Sequence, residues 1–147
     1  MKCEECGAPL PPGESCRDYL NQMIVWDFDD FTGVGQIHHL TVISYNLQHP
    51  SLYSRKGLEY AKTSLLEFSK NPTAYTKHGM HDLKTLSSDV RDWKITGTAA
   101  DHGNYEEKPV WTMRASDVVA GGLGNYVENV KRWSSSIIEA LEKSGNV

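Results

Sequence analysis

Apolar residues recur at helical spacing along most of the chain, and this pattern predicts a mainly α-helical fold. The first predicted helix covers residues 15–30 and ends before Thr32-Gly33. The second covers residues 34–48, and Pro50 forces its end. Because the second helix is apolar on more than one side, we expect it to be central. The two helices predict an antiparallel hairpin on which a small helical bundle is built.

The later part of the chain predicts further helices. A third helix follows from Ser54 and stops at Asn71-Pro72, and residues 73–90 predict a less regular fourth helix. The last helix, residues 126–143, is the clearest, because its apolar residues recur at i+3 and i+4. We expect residues 1–147 to form a single domain.

An irregular segment near residues 91–114 interrupts the helical pattern. WKITGT and PVWTM predict two short extended segments around the loop DHGNYEEK. The stretch SDVVAGG, which follows, predicts a single helical turn capped by Ser116.

Composition and charge narrow the range of partners. The 147 residues carry a net charge of −4, which disfavours nucleic acid because phosphate binding needs a concentrated basic face. No apolar run approaches the roughly 20 residues that cross a bilayer, and the N-terminus has no basic-then-apolar signal. We therefore expect a cytoplasmic protein without a membrane segment. The sequence leaves its partner and a homo-oligomeric state open.

The three cysteines, Cys3, Cys6 and Cys16, all lie within the first sixteen residues. Cytoplasmic thiols stay reduced, so this cluster favours metal ligands over a disulfide with one thiol left over. Cys3 and Cys6 are separated by two residues and followed by Gly7, the pattern of a zinc knuckle, in which backbone N–H groups point at sulfur. A tetrahedral site needs two further ligands, and Cys16 is the third.

The helical hairpin selects the fourth ligand among six histidines. If the chain turns at Thr32-Gly33, residues at the same level have numbers that sum to about 65, which pairs Cys16 with His49 and Asp27 with His38. His38 precedes His49 by eleven residues, about 16 Å along a helix, so the two cannot share an ion. The sequence therefore predicts a closed, structural Zn²⁺ site formed by Cys3, Cys6, Cys16 and His49.

Two other interpretations of these residues stay open. Cys16 can be a small buried hydrophobe and His49 a favourable charge at a helix C-terminus, with Cys3 and Cys6 as solvated thiols. Cys3 and Cys6 can also form a redox pair. Redox Cys-x2-Cys motifs normally open a helix, however, and GAPLPPG cannot supply one.

A second polar pair is predicted inside the hairpin. Asp27 lies in the apolar stripe of its helix, and a buried carboxylate needs a partner, which the register supplies as His38. The pair fits a structural hydrogen bond between helices, a general base or a second metal site.

Two polar stretches outside the hairpin are weaker candidates. His78, His81 and Asp82 have ligand-like spacing but polar flanks, which favour a solvated loop. The loop with Asp101 and His102 is of the kind that carries function, and His102 is kept as a candidate catalytic residue.

Several stretches together resemble a known family. CEECG, HHLTVISYNLQHPSLYS, ASDVVAG and YVENVKRWSSSIIEAL are similar to domain-of-unknown-function family 5946, and HxLTVxxYxxQHP, at residues 38–50, is the most specific of these motifs. The resemblance spans nearly the whole chain and implies a small, mainly bacterial protein. It implies no activity, substrate or catalytic residue.

The leading hypothesis is a zinc-stapled helical domain with a binding or structural role, because a closed ligand set leaves no coordination position for a substrate. The alternative is a metal-dependent hydrolase or transferase that resembles the DinB type and uses the region of Asp27 and His38. The chain departs from that type, because no H-x3-H pair on a later helix completes a histidine triad. A DNA-associated zinc domain is disfavoured by the acidic residues within Cys-Glu-Glu-Cys. Whether the protein is an enzyme stays open.

Overall fold

The computed structural model describes residues 1–29, 34–70 and 94–147, and it is mainly helical, as predicted. Two single 3₁₀ turns, Pro50–Leu52 and Leu123–Asn125, precede helices. The helices within the described ranges are α1 (Cys16–Asp29), α2 (Val34–Leu47), α3 (Arg55–Lys70), α4 (Ala115–Ala120) and α5 (Tyr126–Lys143). The predicted ends of α1, α2, α3 and α5 lie within one residue of the observed ones. The predicted fourth helix, residues 73–90, with His78, His81 and Asp82, lies outside the described residues.

Helix α2 occupies the central position that its apolar character predicts. It packs against α1, α3 and α5, and Leu40 and Leu47 on it are buried. Helix α5 contributes the other half of the core through one stripe of side chains, as its periodicity predicts. The buried members of this stripe are Tyr126, Val130, Trp133, Ile137 and Leu141. Burying apolar area between these helices supplies the main driving force for folding.

A short helix, α4, precedes the 3₁₀ turn that leads into α5. Its first residue is Ala115, and the backbone N–H of Arg114 donates to the Asp117 carboxylate at 2.9 Å. The predicted cap at Ser116 is therefore wrong, because Ser116 lies inside the first turn and Arg114 occupies the N-cap position. An acidic side chain three residues beyond the cap satisfies the N–H that would otherwise lack a partner.

The described part of the predicted irregular segment, residues 94–114, contains no helix or strand. Neither predicted extended segment forms a strand there, and Thr96 makes one isolated bridge to Tyr53. Gly97 donates to the Leu52 carbonyl oxygen at 2.8 Å, and Gly103 donates to that of Tyr53 at 2.7 Å. These bonds fasten the segment to the chain between α2 and α3.

Candidate metal centre

The first cysteine pair lies on a tight turn at the N-terminus. The Cys3 N–H donates to the Ala8 carbonyl oxygen, and the Gly7 N–H donates to that of Cys3, both at 2.9 Å. Gly7 has a φ of 81°, which only glycine adopts without strain. The turn also directs the Ala8 N–H at the Cys6 sulfur, 3.4 Å away, so backbone donors stabilise a thiolate there.

The ends of the two hairpin helices position the other two side chains, Cys16 and His49. Cys16 is the first residue of α1, and His49 lies two residues beyond the end of α2, so an antiparallel pairing places them at the same end. His49 donates from Nδ1 to the Tyr45 carbonyl oxygen at 2.7 Å, and its ring stacks on that of Tyr45 with centroids 4.2 Å apart. The Nδ1–H bond fixes the tautomer and leaves the Nε2 lone pair as the ligand atom.

These four side chains form one compact group. All the ligand atoms of Cys3, Cys6, Cys16 and His49 lie within 4.8 Å of one another. Cys6 Sγ lies 3.4 Å from Cys16 Sγ, and Cys3 Sγ lies 3.5 Å from His49 Nε2. Around a tetrahedral zinc ion, two sulfurs lie about 3.8 Å apart, and sulfur and nitrogen about 3.6 Å apart. The donor set therefore fits a tetrahedral metal site in composition and in size.

The protonation states of these four side chains depend on one another. Cys16 is the neutral donor to Cys6, and this hydrogen bond outweighs burial and lowers the pKa of Cys6 to about 4, while the pKa of Cys16 is raised. Burial lowers the pKa of His49, but the Cys6 thiolate and the Tyr45 carbonyl outweigh it and raise that pKa to about 9. A cation entering the group would replace these protons.

Contacts outside the ligand set fasten the cysteine turn to the rest of the protein. Arg114 donates from Nε to the Cys6 carbonyl oxygen at 2.6 Å, and Lys108 donates from Nζ to that of Glu4 at 2.8 Å. The Glu5 carboxylate accepts from the Ser51 N–H at 3.2 Å. These contacts are not predictable from the sequence, because residues 46 to 108 positions apart leave no local pattern.

The model of a family of unknown function, DUF5946, matches residues 1–142. The chain belongs to the DUF5946 family. The resemblance noted from the sequence is thus confirmed, and the match includes all four members of the cysteine and histidine cluster. No curated protein and no solved structure matches the chain.

The second polar pair of this DUF5946 protein also forms. Asp27 Oδ2 lies 2.8 Å from His38 Nδ1, so the predicted register of α1 against α2 is confirmed at this level. Asp27 is fully buried, and its Oδ1 accepts from the hydroxyl of Tyr126 on α5 and lies 3.3 Å from Thr41 Oγ1. Burial, followed by the bond to Asp27, raises the pKa of Tyr126 and keeps it a neutral donor. Several donors thus compensate the cost of burying this carboxylate.

The third candidate residue of the alternative hypothesis lies elsewhere in the DUF5946 fold. His102 donates from Nδ1 to the Gly103 carbonyl oxygen at 3.0 Å and lines a cavity beside α3 that contains neither Asp27 nor His38. The structure therefore does not combine these three residues in one site. Within residues 1–29, 34–70 and 94–147, the one group of three or more potential metal ligands is the Cys3, Cys6, Cys16 and His49 cluster. None of the described helices combines the length and apolar character of a membrane span.

Proposed function

We propose that Cys3, Cys6, Cys16 and His49 bind one Zn²⁺ ion, and that the protein is a zinc-stapled helical domain with a structural or binding role. One observation carries the proposal: four ligand atoms from three separate parts of the chain lie within 4.8 Å of one another. Three thiolates and one imidazole form a donor set that is typical of structural zinc sites. Soft sulfur ligands in tetrahedral arrangement also favour zinc over Mg²⁺ or Ca²⁺.

The position of the cluster indicates what the ion does. Cys3 and Cys6 lie on the N-terminal turn, Cys16 begins α1, and His49 follows α2. When bound, the metal supplies folding free energy by joining these three parts. The protein's own contribution is orientation, because the Tyr45 carbonyl sets the His49 ring and Arg114 holds the Cys6 backbone. Four protein ligands fill a tetrahedral ion, so the role is structural and not that of an open catalytic site.

Metal analysis of the purified protein tests the proposal. We expect about one zinc per chain, because a closed site binds one ion. Cys16→Ser and His49→Ala should each lose the zinc, whereas His102→Ala, which removes an exposed histidine outside the cluster, should retain it. Full zinc content in Cys16→Ser, or a folded wild-type protein that takes up no zinc from excess, would contradict the proposal.

A second candidate function is proton transfer at His38, and a specific observation favours it. The buried Asp27 carboxylate fixes Nδ1 as the protonated nitrogen of His38, whose side chain is 35% exposed. With Nδ1 held by the carboxylate, Nε2 is the nitrogen that can accept a proton from a bound molecule. Hydrolysis of p-nitrophenyl acetate by His38→Ala provides the test. Loss of hydrolysis with an unchanged melting temperature supports this role, and a large fall in melting temperature assigns the pair a structural role.

A further inference from the structure

A cavity of about 420 Å³ lies between the first turns of α3 and the chain at residues 99–104. Its lining combines the backbone of Gly103 and the apolar side chains of Leu58, Ala99 and Ala100 with the polar side chains of Arg55, Glu59, His102 and Asn104. This volume lies in the range of small-molecule sites. The cavity is separate from the cysteine and histidine cluster.

The cavity is built on fixed backbone. A Cβ atom on Gly103 would lie 2.8 Å from both the Leu58 Cδ2 atom and the Pro50 carbonyl oxygen, so only glycine lets the loop approach α3 this closely. Gly103 also donates to the Tyr53 carbonyl oxygen at 2.7 Å, and Asp101 Oδ1 accepts the Arg55 N–H at 3.2 Å. A site held in this way loses little entropy when a ligand binds.

The charges around the cavity favour an anion with a single negative charge. Among the described residues, the Arg55 guanidinium takes part in no ion pair. The carboxylate that also lines the cavity, Glu59, is paired with Lys62 Nζ at 2.6 Å, so its charge is largely balanced. His102 uses Nδ1 for the Gly103 carbonyl oxygen, which leaves Nε2 for a ligand. Asp101, within the same loop, would repel a doubly charged phosphate more than a carboxylate.

We propose that this cavity binds a small carboxylate, whose charged group pairs with Arg55 while a short apolar part lies on Leu58 and Ala99. A guanidinium matches the planar geometry of a carboxylate with two parallel hydrogen bonds.

Amide-resolved NMR titration of the ¹⁵N-labelled full chain with propionate tests this site. The matched control ligand is propionamide, which has the same shape without the charge. At constant pH and ionic strength, propionate should cause saturable shifts at the amides of Ala99, Ala100 and Gly103, and propionamide should not. Arg55→Gln should weaken propionate binding about tenfold or more, because it removes the charged partner. Arg17→Gln, on α1 and outside the cavity, is the charge-matched control.

A second variant tests the cavity without changing any charge. Ala100→Leu adds bulk to the cavity lining and should also weaken propionate binding. The proposal is overturned if no shift saturates, if propionamide acts like propionate, or if Arg55→Gln binds like the wild type. Tighter saturation by inorganic phosphate would also overturn it, by replacing the ligand class. Zinc content should stay the same in Arg55→Gln, so failure here is distinct from failure of the metal site.

Discussion

His49 donates from Nδ1 to the carbonyl oxygen of Tyr45, one helical turn earlier, and this bond directs its Nε2 toward Cys3. One nitrogen of the side chain is therefore held by α2, the preceding helix, and the other is free to act as a ligand. Oriented imidazoles of this kind are typical of metal sites, because the carbonyl fixes the tautomer and raises ligand basicity. The orientation is built by α2 itself and does not depend on the cysteine turn.

The stability of the protein should depend on zinc. We expect a strong chelator to lower the melting temperature of the wild type. Free zinc at 100 times the dissociation constant stabilises the folded state by about 2.7 kcal/mol, and the chelator removes this contribution. Added Zn²⁺ should restore the transition, and Mg²⁺, which prefers oxygen ligands, should not. Calorimetry provides the measurement. Cys16→Ser, which already lacks the site, should be insensitive to the chelator, and an equal response in both proteins would count against a structural ion.

The stability of the protein should also depend on the hydrogen bond between the buried Asp27 carboxylate and Tyr126 on α5. Tyr126→Phe removes the hydroxyl that donates to Asp27 and should lower the free energy of unfolding by about 1–3 kcal/mol, since a buried acceptor loses a donor. Combined with Asp27→Asn, the loss should be smaller than the sum of the two single losses, because the residues are in contact. Chemical denaturation measures each variant.

The control for this cycle is Tyr19→Phe. It removes an exposed hydrogen bond to the Pro9 carbonyl oxygen, and its effect should stay within about 0.5 kcal/mol. Additive losses for Tyr126→Phe and Asp27→Asn would show that the two groups do not act together.

Gly97 lies in close contact with the backbone that leads from α2 to α3. A Cβ atom on Gly97 would lie 2.2 Å from the Ser51 carbonyl oxygen and 2.7 Å from that of Tyr53. Gly97→Ala must therefore displace backbone, and we expect it to lower the free energy of unfolding by about 1–3 kcal/mol. Gly124→Ala is the control, because its Cβ atom would meet nothing within 4 Å and its effect should stay within about 0.5 kcal/mol. Equal stability of the two variants in denaturant would show that the contact at Gly97 relaxes freely.

Because two buried tyrosines have raised pKa values, we expect the protein to lose stability at alkaline pH. Burial raises the pKa of Tyr105 and of Tyr126, so both stay neutral in the folded protein at pH values where the unfolded chain ionises. Their contribution is complete below pH of about 10 and falls above it by up to about 1.4 kcal/mol per pH unit for each residue. The free energy of unfolding, measured as the pH is raised above about 10, should fall with this slope.

Replacing one of the tyrosines identifies its share of that slope. Tyr105→Phe should reduce the alkaline slope by up to about 1.4 kcal/mol per pH unit, because phenylalanine does not ionise. It also removes the donor to the Leu47 carbonyl oxygen, so its stability at neutral pH is compared separately. An alkaline slope identical to that of the wild type would refute the assignment to Tyr105.

The helical hairpin shows why part of the site was predictable from sequence. Helical period and one turn position fix the register, and the register alone pairs Asp27 with His38 and brings Cys16 to the level of His49. The contact of Tyr126 with Asp27 was not predictable in this way, because the two residues are 99 positions apart and no local pattern encodes that distance.

The contacts of α4 were beyond prediction for a related reason. Capping preference alone selects Ser116, but the cap is Arg114 and the helix begins two residues earlier, because Asp117 satisfies the Arg114 N–H. The Arg114 side chain then reaches the Cys6 carbonyl oxygen, a contact that depends on the packing of the whole chain.

All four members of the cluster lie within the first 49 residues, whereas α5, which packs on α2, is formed by residues 126–143. During synthesis on the ribosome the amino-terminal part emerges first. A zinc ion captured then would join the N-terminal turn to both helices of the hairpin before their later neighbour, α5, has been synthesised.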